Sequence, residues 1–398
     1  MCTICAQKCA HAGPYDLSMA RGSVFRRSGG WGYRVDAGFQ PETGQRRQSL
    51  KQGFATKKEA EIALAEAVRD TSRGNFVSKS SVKVDEFLRD WLTNERGRLR
   101  PSTWHSYEMA IVRITRQLGR HTLQSLTPMQ IEKFYAGLLA TGSREGKPLA
   151  AKTVRNTHVV LRKALSDAER LGVVVRNAAG SARPPATTRM DHTTWSSDDL
   201  RVFFGAIAHD RLYAAFALLA TTGMRRGEVL GLRWSDIDFD GAQLAVSQTL
   251  TTVGYNELVL GPPKTPRSRR HVYLDSQTVE VLRAHRQRQR EERLAAGEAW
   301  DGSGDLAFRN ELGGMIHPDG FSRDFDRIVR SLDVPRIRLH DLRHTYATLA
   351  LKAGVHLKVV SERLGHATVG VTLDLYSHVV PSIAREAADV VASRIYGP

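Results

Sequence analysis

Cysteine is almost missing from this chain. Of 398 residues three are cysteine, Cys2, Cys5 and Cys9, and all lie at the start. The rest holds no disulfide, as expected of a protein kept in a reducing compartment. Long apolar runs are missing as well. No stretch of 18 apolar residues occurs, which excludes a spanning helix and a membrane partner. The N-terminus lacks the apolar core of a signal peptide, so a cytoplasmic location is expected. There is no Gly-x-x-x-x-Gly-Lys phosphate loop. Carboxylates are in deficit: Asp+Glu 42 against Lys+Arg 58 leaves +16. Such an excess favours a polyanionic partner, most often nucleic acid. The short acidic run Asp236, Asp238, Asp240 reads as a helix end and turn, not as the metal site of a nuclease. No metal or other cofactor is expected.

Cys2-x-x-Cys5 with Cys9 and His11 has a spacing that zinc can use. The simpler reading is a disordered tail over residues 1–19, with ordinary sequence beginning at Met19.

What remains falls into three parts, as a chain of this length suggests. Residues 20–75 form a small module. Three strand-like runs, 24–27, 31–37 and 46–53, are separated by Ser28-Gly29-Gly30 and Pro41-Glu42-Thr43-Gly44. A helix follows, opened by the capping box Thr56-Lys57-Lys58-Glu59 and striped with Ala60, Ala63, Leu64, Ala67 and Val68. Arg26, Arg27, Arg34, Arg46 and Arg47 ride on the strands beside Trp31 and Tyr33. A basic three-stranded sheet can enter a DNA major groove.

Residues 82–178 read as four helices. Their exposed side carries Lys152, Arg155, Arg162, Lys163 and Arg170. Residues 179–192, with Gly180, Pro184 and Pro185, read as a linker. Residues 193–398 open with helices to Leu232, continue through strand-like runs at 243–250, 257–260 and 270–274, and end in helices. The fold class expected is α+β and multidomain: a three-stranded sheet with one helix, an all-α domain, and a mainly α domain with a small antiparallel sheet. Residues 283–293, dense in arginine, read as a solvated helix face.

The third part carries the chemistry. Gly223 ends an apolar helix, and Arg225 then opens a new one with Glu228 three residues on, where it can orient the guanidinium. Lys264 stands between Pro263 and Thr265-Pro266-Arg267, in a stiff turn between strands. His340 and Arg343 share a helix face with the small Ala347, away from a core stripe of Leu342, Tyr346 and Leu349. His366 follows a Leu364-Gly365 helix stop. Tyr376 lies ten residues further on, about 280° round if one helix held both, so a turn at 369–371 is needed. Two arginines suit the non-bridging oxygens of a phosphodiester, a lysine can protonate a leaving oxygen, and a tyrosine can attack phosphorus.

Together these residues resemble the tyrosine recombinase family, and most of all its phage-type integrases. The resemblance rests on ATTGMRRGEVLGLRW from Ala220, LHDLRHTYATLAL from Leu339 and LGHATVGVTLDLYSHV from Leu364. It implies that Tyr376 forms a 3′-phosphotyrosyl bond and that Arg225 and Arg343 clamp the phosphate. Lys264 would protonate the 5′ oxygen. His340 would manage the tyrosine proton, His366 would donate to the phosphate, and Glu228 would hold the set. It also implies core-site binding by the helical part (Lys152, Arg155, Arg162), arm-site binding by the first module, and DNA contact at Arg267. Double-stranded attachment sites, a homo-tetramer on DNA, a bending protein and a directionality factor are the partners implied. A helix over 383–395 would pack on its own domain or on a neighbour. A type IB topoisomerase and a silent DNA-binding regulator are the alternatives.

Overall fold

The computed structural model describes residues 22–27, 29–39, 46–72, 80–143, 145–187, 193–254, 256–263, 268–365, 368, 370 and 392–397. The expected tail, Lys264, Arg267, His366, Tyr376 and most of the helix expected over 383–395 lie outside the described residues. The chain divides into two compact units, residues 1–188 and 189–398.

In the first unit, β1 (Gly22–Arg27), β2 (Gly30–Phe39) and β3 (Arg46–Phe54) form an antiparallel sheet in that order. The two-residue period of a strand sends Tyr33 and Val35 to one face, where both are buried against Ala67 of α1 (Lys57–Ser72). Thr56 opens α1 as expected: its Oγ1 accepts from the Glu59 N–H at 3.2 Å, and Glu59 reaches back to the Ala55 N–H at 3.1 Å. The strand arginines do not share a face. Arg27 and Arg34 pair opposite Gly30 and Ser23, on the side away from Tyr33. Arg26 pairs opposite Trp31, with its guanidinium over that ring at 5.8 Å.

The same unit contains α2 (Val84–Glu95), α3 (Pro101–Leu118), α4 (Pro128–Thr141), α5 (Ala151–Arg170) and the short α6 (Ala178–Ser181). Their apolar stripes meet in a core that includes Leu88, Ile114, Ile131, Phe134, Leu161 and Leu165. Each such side chain contributes about 1.5–3 kcal/mol on burial. Pro101 and Pro128 occupy first turns, where their missing N–H costs nothing. Residues 179–182, which read as linker, pack here instead: Ala179 and Ala182 are buried, and Asn177 caps α6. Lys163, which reads as exposed, lies over the Trp91 and Tyr107 rings and bonds Glu95 at 2.5 Å.

The second unit is built around α8 (Tyr213–Thr222), which is apolar all round and buried accordingly. Around it stand α7 (Ser197–Ala206), α9 (Arg226–Leu230), α10 (Ser276–Ala296), α11 (Pro318–Arg330), α12 (Asp341–Lys352) and α13 (Leu357–Leu364). Phe216 of α8 stacks on Phe321 at 4.6 Å, and Trp195, Phe203 and Phe325 close the cluster. The expected small sheet is two sheets. β4 (Ile237–Asp238), β5 (Gln243–Ala245) and β8 (His271–Tyr273) form one, and the hairpin of β6 (Thr249–Val253) and β7 (Glu257–Gly261) forms the other. β7 and β8 therefore belong to different sheets, and the hairpin is the one between β6 and β7. The arginine-dense helix α10 is not simply solvated. His285 is buried on Phe308, and Arg286 covers Trp234 at 5.3 Å. Among the described residues no helix is long and apolar enough to cross a membrane.

Candidate functional site

Gly223 starts the site. It ends α8 at φ 65°, a left-handed conformation that glycine adopts without steric cost. A Cβ there would lie 2.5 Å from Leu364 and 2.7 Å from Tyr346, so the turn also lets three segments close in. Arg225 follows as the residue that opens α9. Its backbone N–H donates to Glu228 Oε2 at 2.9 Å and its guanidinium donates to Oε1 at 2.7 Å. The pairing expected between these two residues is present, and Arg225 keeps an open face at 38% side-chain exposure.

Glu228 is buried and serves a second arginine. Arg270, just before β8, donates to both carboxylate oxygens, at 3.1 and 2.9 Å. Burial pushes the Glu228 carboxyl up, but the bonds and charge of Arg270, with those of Arg225, outweigh it and leave it below the usual range. Arg270 was not among the residues singled out from sequence. A signal for it existed. Val272 and Leu274 are buried, and residue 270 shares their phase along the strand, so its side chain had to point inward.

Arg343 lies in the first turn of α12 and is 4% exposed. Its two terminal nitrogens donate to the Gly223 and Leu364 carbonyls, each at 2.6 Å. Burial, and then the charge of Arg225, push its pKa down to about 9, so it is still cationic at neutral pH. The stripe expected on α12 does not describe its packing. Leu342 is buried, but so are Arg343, Thr345 and Ala347, while Tyr346 and Leu349 are only half-buried. This helix is enclosed on more than one side, so a single apolar stripe misjudges it.

His340 opens α12 with its ring edge-on to His344 at 5.3 Å. The residue is exposed as a whole, yet desolvation still acts on its ring. That, with the charges of Arg343 and Arg225, lowers its pKa and favours neutral imidazole. Asp341 beside it accepts from the Arg338 backbone N–H and guanidinium at 2.8–3.0 Å, which fixes the turn that carries His340.

The C-terminus of α13 gathers these groups. Arg270 Nε donates to the Arg363 carbonyl at 2.7 Å, Arg343 to Leu364 at 2.6 Å and Arg225 to Gly365 at 3.2 Å. Three successive carbonyls, unpaired by the helix itself, thus meet three different guanidiniums at its negative end. Gly365 stops the helix at φ 66°, and His366 is next in the chain. Arg225, Glu228, His340 and Arg343 are brought together. Lys264, His366 and Tyr376 belong to the same sequence set but lie outside the described residues.

Six of the other expected contacts are on the surface. Lys152, Arg155 and Arg162 are exposed on α5, and the last two line a cavity with His158, Lys163 and Arg183. Arg26, Arg27 and Arg34 are exposed on the N-terminal sheet. Arg46 and Arg47 are in β3.

Comparison with known proteins gives three family matches. Residues 24–69 match an arm DNA-binding domain, residues 83–139 the N-terminal SAM-like domain of phage integrases, and residues 199–382 the phage integrase family. A tyrosine recombinase XerC-like protein of Caldanaerobacter subterraneus subsp. tengcongensis is 29% identical, over 84% of this chain and 89% of that protein. The ICEBs1 integrase of Bacillus subtilis is 28% identical, over 90% and 96%. Among solved structures, the Tn1549 transposon integrase in complex with transposon right end DNA superposes with a TM-score of 0.65 at 21% identity, over 78% of this chain and 99% of that one. A lambda integrase tetramer bound to a Holliday junction gives 0.55 at 20%, over 88% and 94%.

Proposed function

This chain belongs to the phage integrase family of tyrosine recombinases, and we propose that its site-specific strand exchange runs through Tyr376. The tyrosine oxygen attacks the scissile phosphate, a 3′-phosphotyrosyl bond forms, and the 5′ oxygen leaves with a proton from Lys264. His340 takes the tyrosine proton and His366 donates to the phosphate. One phosphodiester replaces another, so no energy source is needed, and a partner strand's 5′-hydroxyl reverses the step on a new phosphate. Arg225 and Arg343 hold the non-bridging oxygens, where charge grows in the transition state and fixed donors act most strongly.

The observation that carries this reading is the meeting of Arg225 and Arg343 on the carbonyls of Leu364 and Gly365, next to His366. Free tyrosine has a pKa of ~10, and a tyrosine beside cations loses its proton more easily. The pKa of Tyr346, a tyrosine of α12, is raised by its burial, which speaks against it as the nucleophile.

Arg155, Arg162 and Lys152 bind the core site. Arg26, Arg27, Arg34, Arg46 and Arg47 bind the arm site, and Arg267 contacts DNA near the cleavage point. The chain acts in the cytoplasm as a homo-tetramer on attachment sites, with a bending protein and a directionality factor.

The test uses wild type and Tyr376→Phe with DNA flanking the protein's own gene, in EDTA, read as a denaturant-resistant protein–DNA band. A band for wild type alone is expected. A band for both moves the nucleophile elsewhere. Tight binding without any band favours a regulator, and site-independent relaxation of plasmids favours a topoisomerase.

A further inference from the structure

We infer that Arg270 is a positioning residue for strand cleavage, setting the Arg225 guanidinium through Glu228 and holding the α13 C-terminus in register with it. The inference rests on the reading of Arg225 as a phosphate clamp and extends it to a residue with no contact to substrate in that reading.

The geometry is specific. Arg270 is 7% exposed and grips both oxygens of Glu228, itself 3% exposed. Each of those oxygens is also used by Arg225, Oε1 by its guanidinium and Oε2 by its backbone N–H. A carboxylate held by one arginine alone can swing; held by two, it is fixed in plane and angle. Arg270 does a second thing with its remaining nitrogen: Nε donates to the Arg363 carbonyl. The approach is close, since a Cβ on Gly365 would lie 3.1 Å from Arg270 Nη1. One guanidinium thus ties the support of Arg225 to the helix end from which His366 follows. An arginine serving only as a buried charge partner would need none of this. A lysine would neutralise Glu228 as well, but cannot bond two oxygens and a carbonyl in one plane.

Arg270→Lys therefore keeps the charge and loses the geometry. Misplacing a catalytic group by about 1 Å can cost on the order of a hundredfold, so we expect single-turnover cleavage at saturating DNA to slow by tenfold to a hundredfold, with Kd for DNA unchanged. A double-mutant cycle with Arg225→Lys separates positioning from general structural damage. If Arg270 acts through Arg225, the two losses do not multiply, and the double variant is about as slow as Arg225→Lys alone. Losses that multiply in full, or wild-type cleavage by Arg270→Lys, overturn the inference. Wild-type cleavage by Arg225→Lys defeats the clamp reading itself, and the inference with it. Should Arg270→Lys fail to fold, Glu228→Met with Arg270→Met removes both buried charges, a change that is often neutral for stability. That pair is expected to fold, bind DNA and cleave slowly; cleavage near the wild-type rate overturns the inference.

Discussion

Two sets of cations, one in each unit of this chain, are held in opposite ways. On α5, Lys152, Arg155 and Arg162 are exposed, and Arg155 and Arg162 line an open cavity. In the second unit the side chains of Arg270 and Arg343 are buried; these two and Arg225 are bound to named carbonyls, and Arg225 and Arg270 also to Glu228. An exposed cation in water attracts phosphate at long range and adds affinity that salt screens. A buried, multiply bonded guanidinium has its orientation fixed before substrate arrives, which stabilises a transition state. On the proposed reading, binding falls to the exposed set and chemistry to the buried one.

The largest effect is expected at Arg343. Arg343→Ala should slow cleavage by about 10²–10³, the range for loss of one fixed donor, as read by single-turnover adduct formation. A loss below tenfold would leave the buried set without its assigned role.

Gly223→Ala sharpens the point without touching a charge. The φ of 65° and the close approach of Leu364 and Tyr346 force the turn to move, and with it the carbonyl that Arg343 uses. Cleavage should fall by roughly tenfold to a hundredfold and the melting midpoint should drop. A variant that melts lower but cleaves normally would detach this turn from the chemistry.

On α5, Arg155→Ala with Arg162→Ala should weaken DNA binding and lower the slope of log K against log[salt] by about 1.8, or 0.9 per phosphate contact. Binding titrations at several salt concentrations measure this, and an unchanged slope would remove these residues from the interface.

A smaller effect concerns stability. His285 is buried against Phe308 and Ala307, and its pKa is pushed down to about 4, first by burial and then by Arg288 and Arg211, against the opposing bond to the Ala307 carbonyl. The unfolded chain takes up this proton near 6.5 and the folded chain only near 4. Stability is therefore full above pH 6.5 and is lost as pH falls through that window, by on the order of 3 kcal/mol. His285→Gln should flatten the fall in urea titrations; an equally steep fall in the variant would contradict it.

Much of this was legible in the sequence, for identifiable reasons. The helices of the first unit carry strong stripes and proline starts, so α2 to α5 follow from spacing alone. The Arg225–Glu228 pair follows from helical geometry across three residues. Less legible was α12, where enclosure on several sides blurs the stripe. Two sheets read as one in the sequence because only Val246, Ser247 and Gln248 separate β5 from β6, with no glycine or proline to part them. Arg270 was hidden among Arg267 and Arg269, where only the alternation of Val272 and Leu274 distinguishes it.

The division of labour between the two sets is tested most directly by measuring rate and affinity together. Arg343→Ala and the Arg155→Ala/Arg162→Ala pair would be compared with wild type on one attachment-site DNA, for single-turnover cleavage at saturation and for Kd. The account predicts a crossed pattern: Arg343→Ala loses rate and keeps Kd, while the α5 pair loses Kd and keeps rate. Both variants losing the same quantity would contradict it.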